Sequence, residues 1–534
     1  MPGSFVEVAP SRLLRAGVIA APLACLIGIF AMTAGTDESW IVFGVRGLAE
    51  HGQYGAESPY RSVHSTGGAY TAVAAGLHLL GGGRLEVVRL VSVLGLAGLL
   101  YLIWRLANHS LGVKSDAPWL MSAALLALPG TFMLGSEAFG EVLATALVVG
   151  GACLWGGSPG GAWGRRVWTG LLLGTAAATR LNCIIALAAL PLAALLVPGR
   201  RRSELTDAGI ALIVGAVAFA IQSQLLVRIS VDPGMAATTL TTSGFTLEGE
   251  HKLSYLIPLT LDYWITAQNF LPFFVIAAVL LGWAWARTQV AAPQGADFLI
   301  IFSVLVWGAW LVKAPIPHLR YLWPGLAALA IVGGLVLSVL ARRLASSDRP
   351  LARAAPAWLA VSLLFTGYVD AARTYENGES DILSWQWQGA TARRIEFGPL
   401  RALRSQKSIV ARLKKIPSDQ NIACIGFDTA LSLLTRRPIV PVEAYYPGVN
   451  HPDLQSAPRA SGPKPRWLAI TPFVNRFPNG GMTPALHRWI EQNCRMDCRF
   501  GPYVLYEVTG TYPESPAVLA LHPSTLQLPL VTQP

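Results

Sequence analysis

Long apolar segments alternate with short polar segments over the first two thirds of the chain. About 20 helical residues are needed to cross a hydrocarbon core of about 30 Å. The apolar stretch 67–82 is shorter than that, so it predicts a helix lying on the membrane surface, as does the segment 40–49. The longer segments predict eleven membrane-spanning helices, near residues 13–35, 87–106, 118–136, 139–157, 167–180, 182–199, 208–228, 265–286, 297–313, 321–341 and 355–372.

The first apolar segment could also belong to a signal peptide, with Arg12 and Arg15 as its charged start. Its apolar core, residues 16–34, is longer than the apolar region of a typical signal peptide. We therefore expect an uncleaved membrane anchor at this end of the chain.

The pattern changes from about residue 374, where the chain becomes more polar and proline recurs. This change predicts a separate water-facing domain over residues 374–534, after a membrane domain over residues 1–373. Strand-like runs alternate with helical patterns here, which predicts a small α/β domain. The runs are 422–427, 438–442, 467–471 and 503–508, and the helical patterns are 400–416 and 483–494.

Composition supports a lipid environment for the first domain. Of 534 residues, 53% are apolar and 13% are charged, about half the charged share of soluble domains. The chain carries 41 Lys and Arg against 30 Asp and Glu, a net charge of +11. Because the basic residues fall between apolar segments, they follow the positive-inside rule and do not form a nucleic-acid groove. With a cytoplasmic amino terminus and eleven spans, the C-terminal domain emerges on the opposite, outer side.

Sequence motifs with a fixed spacing do not identify the reaction or a cofactor. The chain contains no zinc-finger spacing, HExxH motif, P-loop or dinucleotide fingerprint. Cys494 and Cys498 share the C-terminal domain, and both a disulfide and two free thiols fit their spacing.

Two acidic pairs mark the outer ends of predicted spans. Asp37 and Glu38 follow the first span and open a long loop that reaches about residue 86 and contains Arg61. Long ordered loops commonly carry function. Alternatively, Asp37 caps the next helix. Glu137 and Glu141 occur where the third span turns into the fourth, and acids so close to apolar segments indicate a functional site. Alternatively, Glu137 in particular is an interfacial carboxylate that reaches water.

Basic residues occur on the same outer side, against the positive-inside rule. Lys313, His318 and Arg320 lie between the ninth and tenth spans, and Arg180 ends the fifth. A single such arginine commonly snorkels to the interface, but four basic residues favour one anion site. The phosphate of a lipid carrier is the nearest anion. A carboxylate could then act as general base toward an acceptor while Lys and Arg stabilise the departing phosphate.

Several short segments carry a resemblance to a known class of enzymes. They are Asp37-Glu38 followed by Trp40, Arg46-Gly-Leu-Ala-Glu-His-Gly, the stretch from Tyr70, Arg89-Leu-Val-Ser, Glu141-Val-Leu-Ala-Thr-Ala-Leu, Ala178-Thr-Arg-Leu-Asn and Arg320-Tyr-Leu-Trp-Pro. Over about residues 10–345 the chain resembles the GT-C membrane glycosyltransferases that use polyprenyl-phosphate sugars. The similarity is greatest to the aminoarabinose transferase and protein O-mannosyltransferase branch.

The resemblance implies a bacterial cytoplasmic-membrane enzyme with the GT-C fold. It would move a sugar, with inversion, from a polyprenyl-phosphate carrier to a glycolipid, polysaccharide or protein at the periplasmic face. The resemblance also implies that Asp37 is the catalytic carboxylate, with Glu38 as its neighbour or substitute. Glu141 stands where the family usually has Asp, so its role stays open. Some relatives need a divalent cation and some do not, so Asp37, Glu38 and Glu141 could bind one or act without it.

Other classes of protein fit parts of the sequence. A transporter of a free or lipid-linked sugar would also have many spans, but internal repeats and mid-membrane charges are not evident. A scaffold anchored by the membrane domain would need only one or two spans. A polysaccharide polymerase or ligase would also use outer basic residues, without needing an acidic pair after its first span.

Overall fold

The computed structural model describes residues 8–34, 36–56, 67–81, 84–110, 117–128, 130–156, 163–197, 201–234, 236–237, 270–290, 293–313, 319–345, 359–368, 371, 401–425, 429–446, 463–471 and 482–519. At some helix ends, including residues 36–37, 310–313 and 319–321, the description covers the backbone alone.

The first part of the chain is helical. Its helices are α1 (Val8–Ala31), α2 (Thr36–His51), α3 (Gly68–Leu80), α4 (Leu85–Arg105), α5 (Ala117–Leu126), α6 (Thr131–Leu134), α7 (Glu141–Trp155), α8 (Trp163–Thr179), α9 (Ile185–Leu195), α10 (Arg201–Ile229), α11 (Phe270–Ala286), α12 (Gln294–Lys313), α13 (Leu319–Ala345) and α14 (Leu359–Tyr368). A π-helical turn, Leu106–Ser110, continues α4, and 3₁₀ turns occur at Leu181–Ile184 and Arg287–Gln289.

Four of the described helices are long and apolar enough to cross a membrane: Arg12–Ala31, Leu85–Asn108, Arg202–Ile229 and Leu322–Leu344. Six more apolar helices, of 10–17 residues, are shorter than a full span. Helices occur at every predicted span, but most are too short to establish a crossing by themselves. The predicted count of eleven spans therefore stays a prediction.

The third predicted span is interrupted. Gly130 adopts a φ of 85°, a left-handed conformation that favours glycine, and separates α5 from the single turn of α6. From Gly135 to Gly140 the chain is not helical, and the backbone amide of Ala138 donates to the Glu38 side chain of α2. This interruption places Glu137 and Ala138 beside the start of α2.

The helices share one hydrophobic core. α4, α7, α8 and α10 pack in succession, and α13 packs against α5 and α12. Leu96, Leu173 and Leu335 are fully buried within this core. A Cβ atom at Gly174 would overlap the carbonyl group of Gly215, so small residues let α8 and α10 approach closely.

The C-terminal unit is a five-stranded mixed sheet with helices. Its elements are α15 (Arg401–Lys414), β1 (Ile422–Ile425), α16 (Thr429–Thr435), β2 (Val440–Pro441), β3 (Trp467–Ile470), α17 (Pro484–Asn493), β4 (Cys494–Phe500) and β5 (Tyr503–Val508), with 3₁₀ turns at Val442–Tyr445 and Pro516–Val518. The strand order is β2-β1-β3-β5-β4. β1 is parallel to β2 and β3, whereas β5 is antiparallel to β3 and β4.

Side-chain alternation along the strands gives the sheet two apolar faces. Ala423 and Ile425 of β1 pack on one side, and Ile422 and Cys424 pack on the other. The four strands and two helices predicted in this region are present, whereas β4 and α16 were not predicted. Part of the chain between these elements lies outside the described residues.

Cys494 and Cys498 are free thiols. They lie four residues apart on one strand, β4. At about 3.3 Å per residue this separation is about 13 Å, far beyond the Cα distance that a disulfide allows. Of the two alternatives drawn from the sequence, the disulfide is therefore excluded.

Candidate functional site

A buried ion pair fixes the start of α2. Nε of Arg89 donates to Oε1 of Glu38 at 2.7 Å, and Nη2 of Arg89 donates to Oε2 at 2.6 Å. The backbone amide of Ala138 also donates to Oε1 of Glu38, at 2.7 Å. The Glu38 side chain is 0% exposed and that of Arg89 is 2% exposed. Glu38 thus joins α2 to α4 and to the interruption between α6 and α7.

Arg89 also holds the carboxyl end of α1. Its Nη1 donates to the carbonyl oxygens of Ile29 at 2.8 Å and Met32 at 3.0 Å, and its Nη2 donates to that of Thr33 at 2.8 Å. A guanidinium carries five N–H donors. Three go to carbonyl groups that the end of a helix leaves without intrahelical partners, and two go to Glu38. One side chain therefore binds both the end of α1 and the start of α2.

A second buried ion pair joins α7 and α8. Nη2 of Arg180 donates to Oε1 of Glu141. Glu141 is the first residue of α7, where the helix dipole favours a negative charge, and Arg180 follows the last residue of α8. The Arg180 backbone is extended, with φ −142° and ψ 115°, so α8 ends there. The sequence predicted both residues as site residues, and the structure pairs them.

Helix α3 lies between the two ion pairs. Tyr70 of this helix is 0% exposed. α3 packs against α2, α4 and α8, the helices that carry these pairs or lead into them. We call Glu38, Arg89, Glu141 and Arg180 the buried charge cluster. The helix predicted to lie on the membrane therefore packs directly on this cluster.

Asp37 lies one residue before Glu38, in the first turn of α2. Its side chain is outside the described part of the structure. The backbone on both sides is anchored, by Glu38 in α2 and by Ala34 in the preceding turn. Oε1 of Gln406 accepts from the amide of Ala34 at 2.9 Å, and Nε2 of Gln406 donates to its carbonyl oxygen at 2.9 Å. The C-terminal unit thus holds the turn that carries Asp37.

The structure does not describe the side chains of the remaining predicted basic residues. Lys313 is the last residue of α12 and Arg320 is the second residue of α13, and only their backbone is described. His318 and Arg61 lie outside the described residues. Their predicted contact with phosphate stays a prediction.

Sequence reasoning did not assign roles to Arg89, Tyr70 or Gln406. Arg89 carried a usable signal, because a charge within an apolar segment needs a buried partner. The sequence around Gln406 gave no such signal, because its partner is the backbone of a residue 372 positions away.

The cluster's carboxylates are engaged by cations. Glu38 accepts three N–H donors from Arg89 and Ala138, so a metal ion at this carboxylate would have to replace a guanidinium. Within the described residues, no group of three His, Cys, Asp or Glu side chains is arranged to hold a metal. Metal binding by Asp37, Glu38 and Glu141 stays a prediction. Chemically, the arrangement offers an anchored acid-bearing turn beside a buried arginine.

Comparison with known proteins shows similarity in structure alone. No protein-family model and no curated protein sequence matches the chain. Among solved structures, ArnT from Cupriavidus metallidurans bound to undecaprenyl phosphate is 13% identical, with a TM-score of 0.57 over 93% of this chain and 98% of that one. Its apo form matches with a TM-score of 0.56 at 14% identity, over 93% of this chain and 98% of that one.

A second group of similar structures comes from Archaeoglobus fulgidus. The oligosaccharyltransferase AglB in complex with an inhibitory peptide and a dolichol-phosphate is 12% identical, with a TM-score of 0.50 over 86% of this chain and 69% of that one. ArnT is an aminoarabinose transferase, and both proteins are GT-C glycosyltransferases. The chain therefore has the GT-C fold of the membrane glycosyltransferases, as its sequence motifs predicted.

Proposed function

We propose that the protein is an integral membrane glycosyltransferase that moves a sugar from a polyprenyl-phosphate carrier to a glycolipid, polysaccharide or protein acceptor. Transfer takes place at the periplasmic face of the bacterial cytoplasmic membrane and inverts the anomeric centre. The observation that carries this proposal is the anchored turn from α1 to α2. Arg89 and Gln406 bind backbone groups shortly before Asp37, and this anchoring supports Asp37 as a site residue.

Asp37 acts as the general base. It removes the proton from the acceptor hydroxyl or amine as the acceptor attacks the anomeric carbon of the sugar. A new bond forms from the acceptor to that carbon while the bond between the carbon and the phosphate oxygen breaks. The electron pair of the broken bond leaves on the polyprenyl phosphate. A fixed backbone favours this step because a small misplacement of the base lowers the rate strongly.

Basic side chains stabilise the departing phosphate. Arg180 is the described member of this group, and Lys313, His318, Arg320 and Arg61 are its predicted members. Guanidinium groups suit phosphate because they donate two parallel hydrogen bonds to its oxygens. Glu141 positions Arg180, and Glu38 positions the turn of Asp37 through Arg89.

The similar structures support the choice of donor. ArnT was crystallised with undecaprenyl phosphate, and the archaeal oligosaccharyltransferase with a dolichol-phosphate. Both ligands are lipid phosphates of the class that this reaction releases. In the proposed arrangement, residues 1–373 form the catalytic membrane domain, the amino terminus lies in the cytoplasm and residues 374–534 lie in the periplasm.

The test is transfer of radiolabelled sugar from synthetic polyprenyl-phosphate donors by the purified protein in lipid, with a cell-envelope extract as acceptor. Asp37→Asn should abolish transfer, while Glu204→Gln, an acid remote from the site in the first turn of α10, should not change it. Both variants should unfold at the parent's temperature. If the folded parent consumes no donor under any condition, the proposal fails and the transporter or scaffold alternatives gain support.

A further inference from the structure

A cavity of about 310 Å³ lies between the membrane helices and the C-terminal unit. The end of α1 and the start of α4 form one wall, and one side of α15 with the end of α16 forms the other. None of the lining residues is Glu141 or Arg180. The cavity is therefore separate from the second ion pair.

The charged residues that line this cavity are mostly basic. They are Arg46, Lys407, Lys414 and Arg436, in addition to Arg89, which Glu38 neutralises, and the acidic lining residue is Glu86. Nη2 of Arg436 lies 3.9 Å from Oε1 of Glu50, so Lys407 and Lys414 supply most of the excess charge. Lys407 and Lys414 are seven residues apart on α15, which places both on the same face of the helix. Both are exposed, so neither requires removal from water to meet a ligand. This excess of positive charge selects an anion.

The same cavity opens onto an apolar surface of α1. Phe30 lines the cavity and is 62% exposed, and it continues a stripe with Ile27 and Leu23, which are 69% and 61% exposed. α1 is long and apolar enough to cross the membrane, so its last turn lies at headgroup level and its stripe faces acyl chains. A ligand that fills both parts needs an anionic head and an apolar tail.

We propose that this cavity binds an anionic phospholipid of the surrounding membrane. Its phosphate lies among Lys407, Lys414 and Arg436, and its acyl chains follow Leu23, Ile27 and Phe30 along α1. Lysine ammonium groups near a membrane surface attract anionic lipids in this way. The inference does not depend on the proposed transfer reaction, since Lys407, Lys414 and Arg436 and the exposed side chains of α1 have no part in that chemistry.

The location gives the bound lipid a mechanical role. It contacts α1 on one side and α15 on the other, and Gln406 and Ala34 also line the cavity. The lipid therefore bridges the same two parts of the molecule that Gln406 joins by hydrogen bonds. We expect the bound lipid to stabilise the attachment of the C-terminal unit.

The experiment measures binding of phosphatidylglycerol to the full-length protein in detergent by native mass spectrometry, with phosphatidylcholine as the zwitterionic comparison. The cavity variant is Lys407→Glu/Lys414→Glu. The matched control is Lys415→Glu/Arg488→Glu, which makes the same change in net charge at exposed residues of the same unit that do not line the cavity. Lys415 is the direct neighbour of Lys414, so the control tests position and not charge alone.

We expect the apparent affinity for phosphatidylglycerol to fall about thirtyfold in the cavity variant and to change less than about twofold in the control. The neutral variant Lys407→Gln/Lys414→Gln, which places no acids in the cavity, should lose about tenfold and covers the event that the first variant misfolds. Phosphatidylcholine binding should be equal in all variants. Equal losses in the cavity and control variants would overturn the proposal.

A second arm separates the two sources of a lipid phosphate. The protein is incubated with cell-envelope lipids and a polyprenyl-phosphate sugar donor. The lipid that the parent retains and the cavity variant loses is then identified by its molecular mass. An unmodified phospholipid supports the proposal. A retained lipid that gains the mass of a sugar would identify the cavity as an acceptor site and overturn the phospholipid assignment.

Discussion

Gln406 and Ala34 form a two-way hydrogen-bonded pair across 372 residues of sequence, in which the side-chain amide of one matches the backbone of the other. Both groups are buried. Nε2 of Gln406 also lies 3.3 Å from the hydroxyl oxygen of Tyr503 in β5. The contact runs from the C-terminal unit to the turn that follows α1, so it connects the two parts of the molecule.

Replacement of Gln406 by Met should weaken this connection. The amide and carbonyl of Ala34 would stay buried without a partner, at a cost of about 2 to 4 kcal/mol. We expect a lower unfolding temperature and, because the position of Asp37 depends on the turn, a fall in kcat of about tenfold with little change in donor KM. Gln420→Met, which alters a glutamine at the edge of the same unit, is the control for kcat. An unchanged kcat for Gln406→Met would show that the connection has no bearing on the site.

Loss of Arg89 should destabilise the fold far more than loss of a surface arginine. Arg89→Met leaves Glu38 charged in a site with 0% exposure, which costs about 3 to 5 kcal/mol. Arg166→Met removes an arginine whose pair with Asp207 is 31% and 24% exposed, and it should cost less than about 1 kcal/mol. Thermal unfolding in detergent measures both. Equal losses for the two variants would contradict the role of the Glu38 pair.

Conservative changes at the second ion pair should separate charge from geometry. Arg180→Lys keeps the positive charge but loses the planar group that can contact Glu141 and a phosphate together. We expect kcat to fall about tenfold to a hundredfold while the unfolding temperature changes little. Arg228→Lys, an exposed arginine at the end of α10, should leave kcat unchanged. The kinetics use the labelled-donor assay, and parental kcat in Arg180→Lys would remove Arg180 from the site.

The C-terminal unit should lose stability as pH rises from acid to neutral. Burial raises the pKa of Glu443 from its ordinary value of 4.5 to about 7. Between these values the folded form binds the proton more tightly than the unfolded form, so rising pH favours unfolding. The free energy of unfolding falls by about 3 kcal/mol across this window, and no further stability is lost above about pH 7.

Glu443→Gln removes this ionisation and should flatten the dependence. Unfolding temperatures of the full-length parent and variant, measured from about pH 5 to about pH 8, should differ more at the upper end. Glu514→Gln changes an exposed acid of the same unit and should follow the parent throughout. A constant difference between the parent and Glu443→Gln across this range is incompatible with the raised pKa.

The elements that hydropathy could predict are those whose apolar length decides them. α4 and α13 occur where the sequence predicted spans, because contact with lipid and burial in the protein core both favour apolar side chains. The break at Gly130 was missed because the segment 118–136 was assigned by its apolar length, although the dipeptide Pro129-Gly130 is a turn signal. β4 was missed because Arg495, Asp497 and Arg499 give this edge strand a polar pattern.

Within the site, the sequence identified charged residues but not their partners. Glu141 and Arg180 were assigned to one site by the side of the membrane they share, and the structure joins them in an ion pair. Glu38 was grouped with Asp37 as an acid, whereas its carboxylate is bound by Arg89. The partners of a buried charge are set by the packing of helices that are distant in sequence. A single sequence does not show which of these helices are in contact.

The five hydrogen bonds of Arg89 bear on the order in which the chain is made. All of its partners lie between Ile29 and Glu38, so they are synthesised before Arg89 itself. A guanidinium entering lipid alone is strongly disfavoured. When α4 reaches the membrane, however, the carbonyl groups and the carboxylate that receive this arginine have already emerged from the ribosome. α4 can therefore enter the membrane when every partner of its arginine has already been synthesised.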